Sequence, residues 1–146
     1  MHWLYDPQVS AIMLEDENMS DAQRAATLRA VSERMMSDLY KYSYFTRLFV
    51  GEQALQVVAV TEYHLELTPD KRLQLDFPLS LAKPQPLAGK QLDINLVDPA
   101  GTAILLYRAV EDISIGPTKS ACAVEIEAHP NFAHGEPAQT VHLQCR

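Results

Sequence analysis

His129 and His134 share one stretch, Glu127-Ala128-His129-Pro130-Asn131-Phe132-Ala133-His134-Gly135-Glu136, with Glu127 just upstream of the pair and Glu136 just downstream. Imidazole and carboxylate together suit zinc or nickel. The candidate ligands are therefore His129, His134, Glu127 and Glu136, and the candidate cofactor is a divalent transition metal. A structural site takes four fixed ligands, whereas a flexible loop with two histidines supplies an incomplete set. Exposed loop histidines with no ligand role are the plain alternative. His64, alternating outward with Glu62 and Glu66, and His142, two residues before Gln144, read as ordinary surface or edge residues.

A second acidic stretch can be laid on a calcium-loop template, with Asp16, Asn18 and Ser20 at the first, third and fifth positions. It fails further on. Asp21 stands where glycine must make the turn, and Thr27 stands where a bidentate glutamate is needed. An acidic turn between two helices explains the residues.

No covalent or acid-base machinery is spelled out. The chain has no Gly-rich phosphate loop, no Gly-x-Ser-x-Gly elbow, no His-Glu-x-x-His helix and no Cys-x-x-Cys pair. Glu125 and Glu127 share a strand face, which serves a solvated surface as readily as a general acid and base. A hydrolase or transferase built on Asp76, Glu125 or a loop histidine lacks any supporting spacing. No catalytic or cofactor-binding residue is assigned, and the expectation is a protein that is not an enzyme.

Cys122 and Cys145 are the only cysteines. Paired, they close a short C-terminal loop and stabilise the fold by about 3 kcal/mol in an oxidising compartment. Two free buried thiols are the alternative at this point.

These residues need elements to hold them. Asp6 as N-cap and Pro7 at the first helical position predict a short helix through Leu14, with Val9, Ile12 and Met13 on one side. Ser20-Asp21-Ala22-Gln23 fits a capping box that starts a second helix. Leu28, Val31, Met35, Leu39 and Tyr42 then form its apolar stripe, with Arg24, Arg29, Glu33 and Asp38 facing elsewhere.

From Tyr44 the period becomes two. Tyr63, Leu65 and Leu67 alternate with polar neighbours, as do Leu73, Leu75 and Phe77, around the turn Thr68-Pro69-Asp70-Lys71. Further strands are expected at Gln91 to Val97, Ala103 to Tyr107, Ile113 to Ile115, Ala121 to Glu127 and Thr140 to Leu143. Helices first and strands later favour an α+β fold: an N-terminal helical hairpin packed on an antiparallel β-sheet or β-sandwich. The expected organisation is one domain over residues 1–146, mainly helical over 1–43 and mainly β over 44–146.

Size and charge set the outer bounds. A chain of 146 residues, 47% hydrophobic, is long enough for one core and short for two domains. Its net charge of -7, with Lys and Arg scattered singly, argues against nucleic acid and anionic membrane as partners. No apolar run approaches the roughly 18 to 20 residues that span a bilayer, so no membrane insertion of this chain is expected. The first residues, Met1 to Asp6, lack the charged segment and apolar core of a secretory signal. The oligomeric state is not written in the sequence.

Trp3-Leu4-Tyr5-Asp6, Met13-Leu14-Glu15-Asp16, Tyr42-Ser43-Tyr44-Phe45-Thr46, Arg72-Leu73-Gln74-Leu75-Asp76-Phe77 and Val97-Asp98-Pro99 together resemble the DUF1007 family of uncharacterised exported bacterial proteins. The likeness runs from Trp3 to about Cys122. It implies periplasmic residence beside nickel, cobalt or zinc transport systems, with a membrane metal transporter as partner. It also implies an oxidising setting, in which Cys122 and Cys145 form a disulfide. Typical members begin with a His-Pro-His strand and carry a complete calcium-type loop between the two helices, and this sequence departs at both places. The expected function is a non-enzymatic periplasmic binding or accessory domain linked to transition-metal transport. The alternative is a structural or protein-interaction module, docking through a sheet edge or the aromatic cluster Tyr40, Tyr42, Tyr44 and Phe45, with no metal role.

Overall fold

The computed structural model describes residues 1–113 and 122–146. In chain order the elements are β1 (His2–Leu4), α1 (Pro7–Leu14), α2 (Arg24–Lys41), β2 (Thr46–Val50), β3 (Gln53–Leu55), β4 (His64–Leu67), β5 (Leu73–Asp76), β6 (Gln91–Leu96), β7 (Cys122–Ala128) and β8 (Gln139–Cys145). They gather into two compact units. One is made of Met1–Lys41 and Val58–Ser80, the other of Tyr42–Val57 and Leu81–Arg146.

The first unit holds a three-stranded antiparallel sheet in the order β1-β5-β4. Leu73 and Leu75 are completely buried, and Phe77 continues their row against Trp3, ring edge to face at 5.5 Å. The alternate residues Gln74 and Asp76 are only half-buried. Thr68 closes the β4–β5 hairpin, its backbone N–H donating to Arg72 O at 2.9 Å and its hydroxyl accepting from Arg72 N at 2.9 Å. Asp6 caps α1 by accepting from Gln8 N at 2.8 Å. The side chain that α1 buries is Ser10, whose hydroxyl donates to Asp6 O and accepts from Leu73 N of β5. α2 lies against β4 and buries Val31, Ser32, Met35, Met36 and Leu39.

The second unit is a five-stranded antiparallel sheet, β3-β2-β6-β8-β7. Register sorts its side chains by face, because directly opposed residues point the same way. Leu92, Leu143 and Val124 form one row and Ile94, Val141 and Ile126 the next, while Asp93, His142 and Glu125 form a row on the other face. Cys122 and Cys145 are directly opposed across β7 and β8 and are joined in a disulfide.

Two turns depend on left-handed backbone. Ser43, Tyr44 and Phe45 have φ of 52°, 55° and 50°, a run of non-glycine residues in a region that costs about 1–2 kcal/mol each. Tyr44 is 2% exposed, Thr46 Oγ1 donates to Tyr44 O at 2.9 Å, and Val97 N donates to Phe45 O at 2.7 Å. Burial and hydrogen bonds hold the strained turn. The other is Gly101, with φ of 63°, considered with the site below.

The expected α+β fold with a helical hairpin packed on a sheet is overturned. Among the described residues the chain is mostly β, with eight strands in two sheets and only two short α-helices, at 7–14 and 24–41. The physical reason lies in residues read as lead-in and helix. His2–Leu4 pair with β5, so a strand precedes α1, and α1 leaves Val9 43% and Ile12 63% exposed instead of packing them. Two more strands, β2 and β3, fall where none was specified. α2 starts at Arg24, after a turn in which Gln23 N and Arg24 N donate to Ser20 O, and Tyr42 at the end of its stripe is 45% exposed. Residues 103–107 are not a strand. Of the strand expected at Ile113 to Ile115, all but the first residue lies outside the described residues, as does Ala121.

Candidate functional site

The four loop and strand residues nominated as ligands are each engaged separately. His129 Nε2 lies 2.9 Å from Thr140 Oγ1, and Glu127 Oε2 lies 3.1 Å from His142 Nε2. Glu136 Oε2 accepts from Ala133 N at 2.9 Å, which folds the loop upon itself. His134 lies over Gly101, so closely that a Cβ there would meet the ring at 2.1 Å. Asp98 shapes the loop carrying Gly101: its carboxylate, 6% exposed, accepts from Ala100 N, Thr102 N, Thr102 Oγ1 and Ala103 N at 2.6–2.9 Å. Burial pushes the Asp98 carboxyl up, and these bonds, the Thr102 hydroxyl foremost, outweigh it and hold it below the usual carboxylate range. His134, Glu136, Phe132 and Ile104 rim a small pocket of about 70 Å³ beside this loop, far below the roughly 300 Å³ from which small-molecule sites begin.

Sequence reasoning treated His142 as ordinary, yet it is the hub of the polar face of the larger sheet. Its Nδ1 lies 2.7 Å from Asp93 of β6 and its Nε2 3.1 Å from Glu127 of β7, so one ring ties three strands. The bond to Asp93 is the main cause that raises its pKa; partial burial lowers it, and Glu127 adds to the rise.

A second cluster was also missed. On the smaller sheet, His2, Asp76 and His64 are directly opposed in one cross-strand row, β1-β5-β4. His2 Nδ1 lies 2.5 Å from Asp76 Oδ1, and Gln74 Nε2 donates to both Asp76 Oδ2, at 3.1 Å, and Glu66 Oε1, at 3.0 Å. Partial burial opposes ionisation of Asp76, and the bonds from Gln74 and His2 more than offset it, lowering its pKa. His64 and Asp76 open, with Glu62, into one wide hollow of about 540 Å³. The signal lay in strand parity, since every second residue of β4 and β5 faces this side.

Among the described residues, no three His, Cys, Asp or Glu side chains are gathered as a preformed metal site. The nominated loop set, with its members bonded elsewhere, does not fit a metal as it stands. The row on the smaller sheet has the donor chemistry, imidazole and carboxylate, but its members are paired with one another. Among the described residues, no helix is long and apolar enough to cross a membrane.

Two antiparallel sheets with few helices, one of them closed by a cross-strand disulfide, define the class as a mostly β protein. The chain belongs to the family described as Protein of unknown function (DUF1007), which matches over residues 1–144. The resemblance read from the motifs therefore holds, over essentially the whole chain. No curated protein and no solved structure matches it.

Proposed function

We propose that this chain is a non-enzymatic binding or accessory domain of the periplasm that serves a transition-metal transport system. The carrying observation is the Cys122–Cys145 bridge across β7 and β8, a bond that forms and persists in oxidising compartments. The family resemblance supplies the transport link. Imidazole-carboxylate pairs on exposed strand faces, His2 with Asp76 and His142 with Asp93 and Glu127, supply chemistry suited to borderline divalent ions.

The test is uptake by intact cells. Deleting the gene should lower accumulation of nickel, cobalt or zinc from media limited in that ion, and a copy carrying both Cys122→Ser and Cys145→Ser should restore it incompletely. Uptake of all three ions unchanged by the deletion would sink the transport role. Protection of the chain from external protease in spheroplasts would sink the periplasmic placement.

A further inference from the structure

We infer that the exposed face of the smaller sheet is a divalent transition-metal site, in which His2 and His64 supply nitrogen and Asp76 and Glu66 supply oxygen. The inference deepens the proposed metal-handling reading and rests on it for its choice of ion. Three observations carry it. The first is register: His2 and His64 flank Asp76 from the strands on either side. Strands two apart in a sheet are separated by about 10 Å. With metal–nitrogen bonds of about 2.1 Å, two imidazoles span that gap over the strand between them.

The second is the tautomer of His2. Its Nδ1 faces the Asp76 carboxylate at 2.5 Å, so Nδ1 carries the proton of the neutral ring and Nε2 keeps its lone pair for a ligand. Carboxylate behind imidazole is the arrangement that orients histidines toward metals and raises their basicity. Gln74 extends this support by holding Asp76 and Glu66 through one amide.

The third is freedom to close. His64 is 71% exposed on its side chain, and its nitrogen lies 3.7 Å from Glu66 Oε2, beyond hydrogen-bond length. Turning His64 over the hollow it shares with Asp76 gives up only an exposed ion pair, which is worth little in water. The site assembles on binding. An open, solvent-facing set of this kind suits an ion that is taken up and passed on.

The experiment is calorimetric titration of the 146-residue chain with zinc, nickel or cobalt chloride alone, paired with nitrogen-15 spectra of the histidine rings. One ion per chain is expected, shifting the ring signals of His2 and His64. His64→Ala and His2→Ala should each weaken it by about tenfold or more, with His129→Ala and His134→Ala unchanged. Circular dichroism checks that the exposed-site variants fold. Binding that survives His2→Ala and His64→Ala but falls with His129→Ala or His134→Ala overturns this site while leaving the broader metal reading in place. No saturable binding of any of the three ions overturns the site outright, and the cell-uptake measurement then decides the transport role independently.

Discussion

His142 shows how one side chain sets a pH dependence. Folding raises its pKa, so the stabilisation it brings is fully present below the ordinary histidine value of about 6.5 and is lost as pH rises through the raised value. His142→Gln should therefore lower the urea midpoint clearly at pH 5.5 and much less at pH 9. An equal loss at both would show that the ring acts by shape alone. At Gly101 two effects coincide, left-handed backbone and the His134 ring above it. Gly101→Ala should cost more than about 1 kcal/mol, and more than Gly51→Ala, where φ is also positive, at 59°, but nothing lies within 4 Å of the added methyl. Equal costs would mean that His134 simply moves aside. Neither contact could be read from the sequence, since His142 lies 49 residues from Asp93, and His2 lies 74 from Asp76. Parity gave the face of each strand but not its neighbour.

Elements were legible where their signals were local. The Asp6-Pro7 start of α1, the Val31, Met35 and Leu39 stripe of α2, and the alternation in β4, β5, β6 and β8 all appear as expected. β1 and β3 were not, because three residues are too few to display a period. The cross-strand bridge ties β7 to β8 at their outer ends, and Cys122→Ser with Cys145→Ser should lower stability by about 3 kcal/mol. Identical urea curves for oxidised and reduced protein would remove that role. The left-handed turn at 43–45 makes an opposite prediction. Ser43 is exposed with φ of 52°, so Ser43→Gly should raise stability by about 0.5–1 kcal/mol, with the backbone strain relieved exceeding the added chain entropy. A loss in thermal melts would show that Ser43 does more than turn the chain.

The whole molecule was misjudged as helical hairpin upon sheet because helix signals are strong over few residues, whereas long-range pairing decides how many strands form. The two units are not consecutive: the chain leaves the first after Lys41, returns at Val58 and leaves again after Ser80. Residues 81–146 alone lack β2, which supplies five cross-strand partners to β6. That fragment should fail to fold, as judged by narrow amide dispersion in NMR spectra, while residues 1–80 retain every strand of the smaller sheet. A folded 81–146 fragment would refute the dependence. Such threading also bears on inheritance. A recombination break anywhere between codons 42 and 145 separates residues that must pair in the larger sheet or be bridged to each other, so unit-by-unit exchange between genes is barred. A lineage carrying this fold must pass it on entire, in keeping with a family match that spans residues 1–144.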